Sequence, residues 1–89
     1  MEQLQMLVRL EIPIDRIHVP VKRRKTLDFE RMNNLAMSIL EDGQKTPVRL
    51  RQEKTSGGFV LLEGLHRLEA MKALGETRIE GYLVQGRLH

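Results

Sequence analysis

Four consecutive residues, Gly64-Leu65-His66-Arg67, follow an apolar run and open a segment of helical periodicity, so chemistry is sought there first. A strand that turns through one glycine into a helix leaves the first backbone N–H groups without intrahelical partners, at the end where the helix dipole is positive. Anions bind at such ends. His66 and Arg67 oppose that dipole, a conflict worth a few tenths of a kcal/mol that a bound anion removes. In this reading Gly64 lets the ligand approach the backbone, Arg67 grips phosphate oxygens with its fork of donors, and His66 adds a further donor. The competing reading pairs Arg67 with Glu63 or Glu69 at the surface and lets His66 cap a loop carbonyl.

The elements that must position this turn follow from periodicity. Met6, Val8, Leu10 and Ile12 alternate with Leu7, Arg9 and Glu11, the pattern of a half-buried strand that Pro13 ends. Ile14 to Ile17 reads as a short turn, and His18 to Val21 as a second short extended piece, because Pro20 biases Val19 away from the helical region. A helix is expected from about 29 to 42, with Asp28 as its N-cap, Glu30 in its first turn and Gly43 past its end. Its apolar stripe is Met32, Leu35, Ala36, Ile39 and Leu40. Arg31, Asn34 and Ser38 form a separate polar line at i, i+3 and i+7. Val48 to Arg51 and Phe59 to Leu62 read as two strands paired as a hairpin around Ser56-Gly57-Gly58. A second helix runs from about Leu65 to Leu74, stopped by Gly75, and Ile79 to Val84 forms a last strand. The order predicts an α/β fold of the α+β kind: a small mixed sheet with two main helices, in a single domain spanning residues 1–89.

Composition narrows the function. With no cysteine, disulfides, thiolate metal sites and a cysteine nucleophile are excluded. Met1 to Leu10 has neither a signal peptide's pattern nor a span's length of apolar residues, and a cytoplasmic protein without membrane association is expected. The formal charge is only +3, so the four adjacent cations Lys22, Arg23, Arg24 and Lys25 exceed the whole net excess. They read as a solvated loop, as weak non-specific contacts to a nucleic-acid backbone, or as a source of one cation reaching a bound nucleotide. Phe29, Phe59 and Tyr82 are the complete aromatic set, too few for a base-stacking platform. His18 and His89 are isolated, and neither is assigned to a metal.

The run from Leu27 to Leu74 resembles the N-terminal domain of the ParB family. It does so in Leu35-Ala36-x-Ser38-Ile39, Gly43, Pro47-Val48-x-Leu50-Arg51, and Gly64-x-x-Arg67 leading to Ala70, Lys72 and Leu74-Gly75. The chain is also similar to sulfiredoxin, a relative of the same fold, in Ile12-Pro13-Ile14-Asp15, in Gly64-x-His66-Arg67 and in Leu83-Val84-Gln85. The resemblance implies a ParB/sulfiredoxin-like fold. It implies a nucleotide of the CTP or ATP class, with Mg²⁺ as its accompanying ion, held by Gly64, His66 and Arg67 and by Arg31, Asn34 and Ser38. Those three match the positions from which the long helix of sulfiredoxin contacts ATP. The slot between glycine and histidine, which carries the reacting cysteine in sulfiredoxin and usually a glutamate in ParB, is Leu65, which can neither attack nor transfer a proton. A third group with this fold, the free-serine kinases, has an acidic residue just before the glycine, where this chain has Glu63.

Three functions remain open at this point. The first is a non-catalytic nucleotide-binding or regulatory domain associated with plasmid partition or other DNA maintenance. The second is a nucleotide-dependent phosphotransferase using Glu63 as base. The third is a non-specific DNA-binding or partner-docking module, a homodimer included, with a vestigial pocket. No recognition helix for reading an operator is expected within this chain.

Overall fold

The computed structural model describes residues 7–84. Strand β1 (Leu7–Pro13) leads through a 3₁₀ turn (Ile14–Arg16) into the two-residue strand β2 (Ile17–His18). Two helices follow, α1 (Val21–Arg24) and α2 (Phe29–Asp42), and then strands β3 (Val48–Gln52) and β4 (Phe59–Glu63). Helix α3 (Leu65–Ala73) and strand β5 (Arg78–Val84) complete the order. The five strands form one sheet in the order β1-β5-β3-β4-β2. It is mixed: β1 with β5 and β3 with β4 are antiparallel, whereas β3 with β5 and β2 with β4 are parallel. The β3–β4 hairpin, the two main helices and the final strand all occupy the positions expected from periodicity.

The core lies between the sheet and the helices. Leu50, Leu61, Val48, Ile12 and Ile79 from the strands and Leu68, Ala70 and Met71 from α3 are almost wholly buried, with Ala36 and Ile39 from α2. Capping fixes where the long helix begins, since the Asp28 carboxylate accepts hydrogen bonds from the backbone N–H groups of Glu30 (3.0 Å) and Arg31 (3.2 Å). Gly43 ends α2 at φ 81°, and its N–H donates to the Ile39 carbonyl.

Three expectations are corrected. Leu40, read as part of the core stripe, is 67% exposed, because it lies on the flank of α2 with Phe29, turned away from Ile39 and Leu35. Val8 and Leu10 are 36% and 39% exposed, so of that strand's apolar side Ile12 alone is deeply buried. The physical reason is position: β1 is an edge strand of the sheet. The basic segment is not a loop, because Val21–Arg24 form one helical turn after Pro20, whose carbonyl accepts from the N–H groups of Arg23 and Arg24. Gln85 and His89, named in the sequence reading, lie outside the described residues, as do Met1 to Met6.

Candidate phosphate site at the start of the third helix

Strand β4 delivers the chain to Gly64, and α3 starts at the next residue. Gly64 sits at φ 108°, a left-handed conformation that penalises any side chain. A Cβ at this position would also lie 2.6 Å from Val48 Cγ1. The glycine is therefore required by packing against β3 as well as by its backbone angle. No side chain caps the helix start. The Gly64 carbonyl accepts the first intrahelical bond from Leu68 N–H (2.9 Å), and the N–H groups of Leu65, His66 and Arg67 precede that bond.

The side chains of the turn go to different places. Leu65 is 7% exposed and belongs to the hydrophobic core, so the position that carries reactive groups in related families is here part of the packing. His66 does not cap a carbonyl. Its Nε2 accepts a hydrogen bond from the backbone N–H of Asp28 at 3.0 Å. The neutral ring then carries its proton on Nδ1, which is left as a donor. This bond ties the first turn of α3 to the N-cap of α2, whose next turn carries Arg31.

Arg67 is half-buried and forms none of the ion pairs present among the described residues. The carboxylates proposed as its surface partners are taken: Glu63 pairs with Arg49 (3.3 Å) and Glu69 with Lys72 (3.2 Å). Burial lowers the Arg67 pKa from the ordinary guanidinium value, and the positive charge of Arg31 lowers it further. Arg31 on α2 and Arg67 on α3 thus repel one another, and neither forms an ion pair with a carboxylate among the described residues. Such an arrangement is electrostatically unfavourable until an anion enters.

The remaining candidates are placed as follows. Asn34 and Ser38 are exposed on α2, in line with Arg31, and make no hydrogen bond to the turn among the described residues. Lys22, Arg23, Arg24 and Lys25 are exposed on and just after α1. Arg24 is partly committed to structure, since its Nε donates to the Val19 carbonyl at 3.2 Å. Glu63, exposed at the end of β4, is held by Arg49. His18 is exposed on β2.

Two features escaped the sequence reading. The amide of Gln44 pairs with both backbone groups of Glu80, donating to its carbonyl and accepting from its N–H, each at 2.9 Å, and so continues the sheet where β3 has not yet begun. Nothing in the spacing of Gln44 signals this. The Arg49–Glu63 pair is the second, and a regular hairpin would have missed it, because a register shift between Arg49 and Leu50 brings Glu63 rather than Leu62 opposite Arg49.

Comparison with known proteins places the chain in a family. A probable chromosome-partitioning protein ParB from Campylobacter jejuni is 38% identical over 73 residues, covering 81% of this chain and 26% of that protein. Sulfiredoxin from Arabidopsis thaliana superimposes with a TM-score of 0.78 at 26% identity, over 89% of this chain and 86% of that one. The C-terminally truncated chromosome-partitioning protein ParB from Caulobacter crescentus, complexed with CTP-γ-S, gives a TM-score of 0.76 at 24% identity, over 90% of this chain and 46% of that one. The chain spans about a quarter of its curated relative and under half of the Caulobacter structure. The model of the ParB N-terminal domain matches residues 2–87, and the chain belongs to that family.

Proposed function

We propose that this ParB N-terminal domain binds the phosphate groups of a CTP- or ATP-class nucleotide at the start of α3, and that it acts as a non-catalytic regulatory module in DNA maintenance. One observation carries the reading. The start of α3 has no side-chain cap, and Arg67 in its first turn is half-buried, forms no ion pair among the described residues and is opposed by the positive charge of Arg31. The phosphates accept from those N–H groups, Arg67 offers its planar fork, Arg31 adds charge from α2, and His66 offers Nδ1 while its Nε2 keeps the two helices in register. Asn34 and Ser38, further along α2, serve the parts of the ligand beyond the phosphates. The chain separating Lys25 from Asp28 spans at most about 11 Å, so a cation of the basic segment can reach a triphosphate at this site. Among the described residues no group of three or more side chains is arranged to hold a metal ion. Mg²⁺ arriving with the nucleotide would take phosphate oxygens and water as ligands and would offset the phosphate charge. Leu65, buried in the core, offers no nucleophile or base, which favours binding over turnover.

The nucleotide complex of the Caulobacter protein and the chromosome-partitioning role in the Campylobacter protein's name support the ligand class and the setting. The test is thermal denaturation with CTP, ATP, GTP and inorganic phosphate, each with and without Mg²⁺. A triphosphate is expected to raise the melting temperature in proportion to the logarithm of its concentration. Absence of a response to every compound at millimolar concentration refutes the proposal. Formation of O-phosphoserine, with the nucleoside diphosphate as the other product, in the presence of free serine would instead support a phosphotransferase with Glu63 as base.

A further inference from the structure

We propose that the exposed flank of α2 docks an amphipathic helix of another protein, one whose apolar stripe is bordered by lysine or arginine. Among the described residues the most exposed large apolar side chains are Phe29 (67%), Leu40 (67%), Val21 (63%) and Met37 (59%), and three of these stand on α2. At about 100° per residue, Phe29, Asn33, Met37 and Leu40 fall within about 80° of one another around the helix axis. They make a stripe about 16 Å long beside the buried side of Ala36 and Ile39. Apolar side chains scattered singly need no cause, whereas a continuous exposed stripe marks a contact surface. Arg31 and Ser38, which the nucleotide reading uses, lie roughly 150° round the helix from the centre of the stripe, so both faces can be occupied together.

Charge selects the occupant. Glu30, Met37 and Glu41 share one line at i, i+7 and i+11, so two exposed carboxylates border the stripe on its solvent side. Neither forms an ion pair among the described residues. Glu41 also sits in the last turn of α2, which holds no basic residue, and a carboxylate there opposes the helix dipole. A cation from outside relieves that conflict. Arg31, the one basic residue of α2, is on the far side of the helix and does not supply it. The border repels nucleic acid and anionic lipid, both of which present phosphates, and attracts a polypeptide carrying lysine or arginine.

The form of the partner follows from the backbone. The N–H and C=O groups along α2 are bonded within the helix, so this flank has no free ladder for an extended strand. A second helix satisfies its own backbone and sets a ridge of side chains into the grooves beside Phe29, Met37 and Leu40. Apolar residues at i, i+4, i+7 and i+11 of that helix match the three turns of the stripe, and cations flanking them meet Glu30 and Glu41. Asn33, inside the stripe, offers an amide that fixes the register of the pair.

The test is selection, with the 89-residue chain as bait, from a display library of helical peptides. The peptides carry leucine at i, i+4, i+7 and i+11, with lysine, glutamate or serine at the flanking positions. Lysine-bordered peptides are expected to be enriched. Their affinity, read by fluorescence anisotropy, should fall at least tenfold in Leu40→Lys and in Met37→Lys, two exposed substitutions whose fold is checked by circular dichroism. The double variant Glu30→Lys/Glu41→Lys should enrich glutamate-bordered peptides instead. No enrichment, selection of glutamate- or serine-bordered peptides by the wild type, or affinity unchanged in Leu40→Lys and Met37→Lys overturns the proposal. Binding of phosphatidylglycerol vesicles or duplex DNA, or sedimentation as a dimer, that is lost in Leu40→Lys gives the stripe to a different occupant and overturns it equally.

Discussion

Replacing Arg67 by alanine separates a ligand-binding role from a structural one. In the free protein Arg67 has no ion-pair partner among the described residues, and its charge is opposed by Arg31. Its removal therefore leaves free-state stability within about 0.5 kcal/mol, the range of surface substitutions away from special features. A charge-assisted hydrogen bond contributes about 1.5–3 kcal/mol. Losing that amount from nucleotide binding raises Kd about 13- to 160-fold. At a ligand concentration of one hundred times the wild-type Kd, the wild type gains about 2.7 kcal/mol. The variant at the same concentration gains only about 0.3–1.3 kcal/mol by the same relation. For a domain of this size about 4–8 °C accompany each kcal/mol, so a wild-type shift of roughly 11–22 °C falls by half or more. The assay is thermal unfolding followed by circular dichroism, with and without CTP and ATP. If Arg67→Ala keeps the full nucleotide-dependent shift, or destabilises the free protein by more than about 1.5 kcal/mol, the guanidinium is structural and the reasoning fails.

Other perturbations test the parts that build the site. Gly64→Ala combines a left-handed backbone with the 2.6 Å clash against Val48, and should cost about 2–5 kcal/mol in urea unfolding. Gly75→Ala, at φ 80° with nothing within 4 Å, should cost only about 1–2 kcal/mol, and Val48→Ala should partly rescue the first variant and not the second. Asp28→Ala removes both capping bonds of α2 and should lose about 1 kcal/mol of stability, measured by the same unfolding assay. His66→Ala takes the acceptor from Asp28 N–H and removes the Nδ1 donor, and should weaken nucleotide binding in calorimetry, with His66→Asn tested as a substitute acceptor. Gln44→Ala leaves both backbone groups of Glu80 without that partner and should cost about 1–3 kcal/mol in denaturant unfolding.

Much of the architecture was legible in the order of residues, because its causes are local. The Asp28 cap, the stops at Gly43 and Gly75, the alternation of Val48 to Arg51 and the helical spacing of Ala36 and Ile39 all act within a few positions. Charge conflict at the Gly64 turn was equally visible, since a histidine and an arginine in a first helical turn oppose the dipole whatever surrounds them. What that conflict meant was not local. Asp28 and His66 are 38 positions apart, and only the packing of α2 on α3 turned the imidazole into an acceptor and let the charge of Arg31 oppose that of Arg67.

Periodicity misjudged Leu40 and the outer residues of β1 for a related reason. It reports which face of an element is apolar, and it cannot report what covers that face. The strand order alone put Val8 and Leu10 at an edge, and the face of α2 turned to the core left Leu40 in solvent. Residue types and spacing thus determined the elements and the excess of positive charge at the turn. Tertiary structure decided which groups meet there, because proximity between distant positions depends on how the helices pack over the sheet.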